Sequence, residues 1–201
     1  RGVLDELSPH GLKGLAYWEN GWRAFTNNKR PVNKPEDLKG LKIRSTPNPY
    51  HIQAFKLLGM NPSPMPIAEL FTALETGTFD AQEHPINVTW SSKFYEVQKH
   101  LTVSNHVYSP LIVAMNKAKF DSLPANYQAA ILESAHDAAK YQRDLNAQNA
   151  GKVVAELKKS GMQVIETVDM APFQKIVSEA IEKTFAEKNG PALLKAIAAT
   201  K

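Results

Sequence analysis

The sequence predicts an α/β protein in which short parallel strands alternate with helices and a long helix then bridges two lobes. Three observations predict it. Between residues 41 and 82 the apolar segments run strand, helix, strand, helix, strand with short links. From residue 123 to 160 the chain is rich in Ala, Gln, Lys, Glu and Leu, with no proline after Pro124, which reads as one or two long helices. The composition, 43% hydrophobic and 22% charged over 201 residues, is that of a globular chain able to bury a core without staples.

Each element has its own local reason. Gly14 to Trp22 is aromatic and apolar and reads as a strand entering a turn at Glu19-Asn20-Gly21. Asn27 to Pro35 is a surface loop of Asn, Lys and Pro. Pro35 to Leu38 is one helical turn with acids at its start, stopped by Gly40. Leu41 to Arg44 is a short strand. Pro49 to Leu58 is a helix with Ile52, Phe55 and Leu58 on one face. Three prolines hold Asn61 to Pro66 extended. Ile67 to Glu75 is a helix, Phe79 to Gln82 a strand and Asn87 to Val97 a helix. Leu101 to Val103 and Tyr108 to Met115 are strands. The long helical region closes at Gly161, Met162 to Ile165 is a strand, and Ala171 to Lys188 and Pro191 to Ala199 are closing helices. Early strands and a late long helix predict more than one compact sheet.

Several chemistries are excluded. The chain has no cysteine, so it holds no disulfide and no thiolate-bound metal. Its 24 basic and 20 acidic residues are interspersed, which leaves no basic face for nucleic acid; the net charge of +4 attracts anions weakly. No apolar run approaches the ~20 residues that span a bilayer. The first residues lack the apolar core of a signal peptide, so either a signal has been removed or the chain starts inside a longer protein. The six histidines form no HExxH, and there is no GxSxG, P-loop or GxGxxG. Glu83 and His84 are adjacent, so on a strand they point to opposite faces and make a poor metal site. No metal and no cofactor is expected.

The positive signal is for binding. Arg44 ends the strand LKIR and precedes the turn-rich STPNP. Ligands of α/β layers sit at such carboxyl ends, and a guanidinium there offers a fork that grips a carboxylate with two parallel hydrogen bonds. A surface ion pair is the other reading of Arg44, and of Arg23 after the aromatic segment. His84 ends FDAQEH, the equivalent place on a neighbouring strand, and is either a hydrogen-bonding ligand contact or a solvated loop histidine. An enzyme acting on a small acid, with His84 as general base oriented by Glu83 or Glu69, is the competing class.

Taken together, PEDLKGLKIR, LGMNPSPMPIAELFTALETGTFDAQEHP and KFYEVQKHLTVSNHVYSP resemble the DctP family of TRAP-transporter solute-binding proteins. GWRAFTNNKRPV before them and FDSLP with AAKYQRDLN after them fit the same order, from about Leu15 to the C-terminus. The resemblance implies a two-lobed periplasmic-binding-protein-like fold with a long bridging helix and an incomplete N-terminal lobe. Residues 1–22 would be a remnant of that lobe and the first hinge crossing, 23–106 the C-terminal α/β lobe, 107–150 the return with the bridging helix, and 151–201 the closing strand and helices. It implies a periplasmic receptor, not itself membrane-spanning, that binds a small organic acid and delivers it to TRAP transporter membrane subunits without catalysis. Arg44 matches the family's carboxylate anchor and Arg23 a second arginine near the acid group. His84 replaces an asparagine of the family's QENP segment. Ile67 stands where an aromatic ring often stacks on the ligand, and Glu83 and His106 match positions that line the pocket in some members.

Overall fold

The computed structural model describes residues 2–200, and its architecture is set by two long strands. β1 runs from Leu12 to Asn27 and β5 from His100 to Asn116. They pair antiparallel from Leu12↔Asn116 to Asn27↔His100, so one ribbon runs the length of the sheet. The other strands are short: β2 (Lys42–Ser45), β3 (Asn61–Pro64), β4 (Ala81–Pro85) and β6 (Gln163–Ile165). All six form one sheet in the order β3-β2-β4-β1-β5-β6, which corrects the expectation of more than one sheet.

β2 is parallel to β3 and β4, and β6 is parallel to β5, whereas β1 is antiparallel to both its neighbours. The sheet is therefore mixed. The parallel layer holds for the crossovers that carry helices, and the antiparallel joins are made by the ribbon. β3 is an edge strand, where its prolines remove no ladder bond that a central strand would need.

The ribbon corrects two expectations about strands. Glu19-Asn20-Gly21 is not a turn: the pairing passes from Glu19↔Pro110 to Gly21↔Ser109, leaving Asn20 as an extra residue in a β-bulge. Gly21 carries the φ of 124° that the bulge requires. The two strands read at 101–103 and 108–115 are one strand, with a larger irregularity between them. Arg23 pairs with Val107 and Phe25 with Thr102, so residues 103–106 oppose Ala24 alone, and Asn105 sits at φ 46°.

Helices cover both faces. α1 (Gly2–Asp5) leads into β1, and α2 (Pro49–Leu57) follows β2. α2 starts on an Asn48 cap that accepts from the Tyr50 amide. α3 (Leu70–Glu75) continues a 3-10 turn at Ile67–Glu69. α4 (Ile86–Ser91) is shorter than the helix expected over 87–97, because Lys93 turns left-handed and a 3-10 turn at Phe94–Glu96 follows. α5 (Lys117–Asp121) precedes α6 (Ala125–Lys159), a single helix of 35 residues, and α7 (Ala171–Asn189) and α8 (Ala192–Ala198) close the chain.

Alternation along β1 divides the core. Phe25 packs with Val32, Ile43, Phe55, Met60 and Phe173, beneath α2 and α7. Its neighbour Ala24 faces the other way, with Leu101, Leu157 and Met162 beneath the end of α6. A third cluster of Leu70, Leu74, Phe79 and Phe94 seats α3. β4 lies between these layers and is buried along its whole length. Its polar residues are therefore held in a dry interior, where each must find a partner.

Candidate functional site

The sheet register decides which polar side chains meet. β1 and β4 pair Ala24 with His84, Phe25 with Glu83 and Thr26 with Gln82. Side chains on paired positions share a face, so Glu83 lies with Phe25 and Arg23, while His84 and Gln82 lie with Ala24 and Thr26. Arg44, one residue past the core residue Ile43, belongs to the His84 face.

On the first face, Arg23 clasps Glu83. The guanidinium Nε donates to Glu83 Oε2, and Nη2 donates to Oε1 at 2.7 Å and to the Glu83 carbonyl at 2.7 Å. His106 brings Nε2 to 3.4 Å from Glu83 Oε2 without the alignment of a formed hydrogen bond, and its Nδ1 meets Ser104 Oγ at 2.7 Å. The imidazole stacks flat on Phe25, with ring centres 4.1 Å apart. Burial alone would raise the Glu83 carboxyl. His106 and the Arg23 fork reverse that and hold it at about 2. Arg23 and Glu83 thus form a neutral buried pair.

On the second face, Arg44 has no such partner. It is 5% exposed, donates from Nε to the Met65 carbonyl at 2.8 Å, and places Nη1 3.4 Å from His84 Nε2. Among the described residues it makes no salt bridge, and Nη2 donates to no protein group. Burial lowers its pKa, the charge of Glu83 opposes that, and Arg23 adds to the lowering. Guanidinium stays protonated under such shifts. A buried cation with unused donors at the end of a strand has the chemistry to pair with an anion.

His84 is 5% exposed and neutral: burial, then Arg23, push its imidazole down to about 3, against the pull of Glu83. Its Nδ1 contacts Gln82 Oε1. Gln82 Nε2 donates to Thr26 Oγ1 at 2.8 Å, and Thr26 Oγ1 donates to Gln98 Oε1 at 2.9 Å. The structure therefore brings together Arg44 with His84, and Arg23 with Glu83 and His106. Ile67 stays apart, 47% exposed, two residues past the Met65 carbonyl that holds Arg44. Gln82, Thr26 and Gln98 carry no role in the sequence reading. Nothing in the sequence marks them, since each stands beside another polar residue and only the fold brings the three together.

Three hollows lie nearby, two of them lined by Arg23 or His106 and none by Arg44 or His84. An open cleft of about 780 Å³ is lined by Arg23, Thr46, His51, Tyr108 and Lys188. An apolar hollow of about 300 Å³ lies between α2 and α7 over Phe25 and His106. A third, of about 390 Å³, lies between the Asn20 bulge and α6. No group of three His, Cys, Asp or Glu side chains able to hold a metal occurs among the described residues. No helix of the described chain is long and apolar enough to cross a membrane.

The chain is therefore a helix-covered mixed α/β sheet that carries, at a strand end, a buried arginine with no carboxylate partner among the described residues. The family model for bacterial extracellular solute-binding protein, family 7 (DctP), matches residues 1–188, and the chain belongs to that family. The 2,3-diketo-L-gulonate-binding periplasmic protein YiaO of Escherichia coli is 51% identical over 193 residues, 95% of this chain and 59% of that protein. A TRAP periplasmic solute-binding protein from Polaromonas, solved with D-erythronate, superposes with a TM-score of 0.95 at 41% identity, over 100% of this chain and 66% of that one. The sugar acid binding protein DctPAm of Advenella mimigardefordensis, solved with galactonate, gives 0.91 at 38% identity, over 98% and 64%. The chain thus spans about 60% of the length of the relatives it matches.

Proposed function

We propose that this protein is an extracytoplasmic receptor that holds an organic acid by its carboxylate and hands it, unchanged, to a TRAP-type membrane transporter. The observation that carries the reading is Arg44: buried, charged and, among the described residues, without a carboxylate partner and with Nη2 unused. A ligand carboxylate supplies the missing anion through a fork of charge-assisted bonds, worth about 1.5–3 kcal/mol net. The relatives named for diketogulonate, erythronate and galactonate support a sugar acid as the ligand class. Arg23 borders the open cleft with Nη1 unspent, which suits a secondary contact to the same acid; Glu83 and His106 hold that arginine in place. Ile67, exposed beyond Met65, offers apolar contact only.

Membership of the family supports a periplasmic location and delivery to TRAP membrane subunits. The division into lobes at residues 23 and 106 falls on the irregularity between Arg23 and Phe25, where the ribbon is least regular and best able to flex. Closure there would exclude water and strengthen the Arg44 contact. Catalysis by His84 has little to support it. Its Nδ1 faces an amide, Glu83 points to the opposite face, and a group that takes a proton only near 3 is a weak base at neutral pH.

Calorimetric titration of the full-length protein with a panel of sugar acids tests the reading. One site per chain, ligand recovered intact, and at least a tenfold loss of affinity in Arg44→Ala are expected. Turnover of the acid, or equal affinity in the variant, contradicts it.

A further inference from the structure

We infer that His84 is fixed as a hydrogen-bond acceptor by a one-way chain through Gln82, Thr26 and Gln98, so that the site selects acids bearing a hydroxyl next to the carboxylate. The inference deepens the receptor reading and rests on it.

The direction of each link follows from what each group can do. Arg44 only donates, so His84 Nε2, 3.4 Å from Nη1, must accept. An imidazole that accepts at Nε2 carries its proton at Nδ1, where Gln82 Oε1 accepts it. That leaves the Gln82 amide nitrogen to donate to Thr26 Oγ1 at 2.8 Å, and Thr26 to donate to Gln98 Oε1 at 2.9 Å. Gln98 Nε2 then donates to the Val97 carbonyl at 3.1 Å, which can only accept. A donor-only group closes one end and an acceptor-only group the other, so no member can reverse without leaving a buried atom unpaired. Thr26 and Gln82 are fully buried and Gln98 is 2% exposed, so water offers no substitute partner.

The weak link is the long contact at Arg44. When Arg44 turns Nη1 onto a ligand carboxylate, His84 Nε2 loses its donor and its lone pair is left facing the ligand. A ligand hydroxyl on the carbon beside the carboxylate lies one hydrogen bond from that spot and donates to it. A keto oxygen or a bare methylene cannot. An asparagine at the same position would present both a donor and an acceptor and would discriminate less. Gln82 is then a positioning residue that never touches the ligand yet decides which way the imidazole faces.

The test uses the full-length protein and a matched pair of probes, 2,3,4-trihydroxybutanoate and its 2-deoxy analogue 3,4-dihydroxybutanoate. The ratio of their dissociation constants is the readout, because a general loss of fold or of carboxylate affinity cancels from it. In the unaltered protein the 2-hydroxy acid binds about tenfold tighter. In Gln82→Met, which keeps the volume but removes the acceptor, the ratio falls towards one, and ¹⁵N shifts of the imidazole report loss of the single Nδ1–H tautomer. In His84→Asn the ratio falls as well. A ratio near one in the unaltered protein, with both acids bound and Arg44 required, overturns this inference and leaves the receptor reading standing. Failure of both acids and of the wider sugar-acid panel to bind overturns both.

Discussion

At the scale of single residues, two arginines stand in contrast on opposite faces of one sheet, Arg23 on β1 and Arg44 on β2. Arg23 is neutralised by Glu83, and Arg44 is not. The sequence points to Arg44 because a strand ending in Lys-Ile-Arg before a turn marks a carboxyl end, and to Arg23 as the residue that follows an aromatic segment. It did not reveal which arginine is spent. That depends on the register between β1 and β4, which brings residues 60 apart in the chain into contact. The histidine beside Arg44 also has a thermodynamic signature. His84 takes a proton near 6.5 when unfolded and only near 3 in the fold. Between those values the unfolded state holds more protons, so stability falls as pH falls through this window and is unaffected above it. Glu83 acts later in the same direction, from its ordinary 4.5 down to about 2. Taking His84 down to about pH 5 costs roughly 2 kcal/mol by linkage. Urea unfolding of His84→Asn should therefore show a drop in stability from about pH 7 to pH 5 that is smaller than the parent's by about 2 kcal/mol. Equal drops in the two proteins would mean that His84 titrates normally.

At the scale of elements, the short strands and helices from Pro35 to Pro85 were legible because Gly and Pro punctuate them and their apolar spacing is regular. The long ribbon was not. Asn20-Gly21 carries the residue signature of a turn, since a bulge and a turn both ask for positive φ. Only the strand partner distinguishes them, and that partner lies in β5. The bulge fastens the ribbon to α6: Glu19 N–H donates to Gln142 Oε1 at 2.9 Å, and Gln142 Nε2 donates back to the Glu19 carbonyl at 2.7 Å. Arg143 Nη1 adds a bond to the Tyr17 carbonyl at 3.0 Å. A Cβ at Gly21 would meet Pro85 Cβ at 3.2 Å, on a backbone that L side chains rarely adopt. Gly21→Ala should lower the unfolding free energy by about 1–3 kcal/mol and raise the amide exchange rates of residues 17–23. Exchange confined to its parental rate in that segment would show that the bulge does not depend on glycine.

At the scale of the whole molecule, the sheet, the 35-residue helix and the closing helices serve one arrangement. Two strands run the full length of the ribbon, α6 lies along it, and the irregularity opposite Ala24 falls beside the residues of the site. On the receptor reading, a ligand that binds the folded chain raises its stability with occupancy, by about 2.7 kcal/mol at 100 times the dissociation constant. The most direct test of the account is the Arg44→Lys substitution in the full-length protein, read by thermal shift and titration with a sugar acid that the parent binds. Lysine keeps the charge and loses the planar fork. The account predicts an unliganded melting temperature close to the parent's, with affinity reduced at least tenfold and the ligand-induced shift largely gone. Full affinity in the lysine variant would contradict it, since a point charge would then suffice and the carboxylate would not be held by the guanidinium of Arg44.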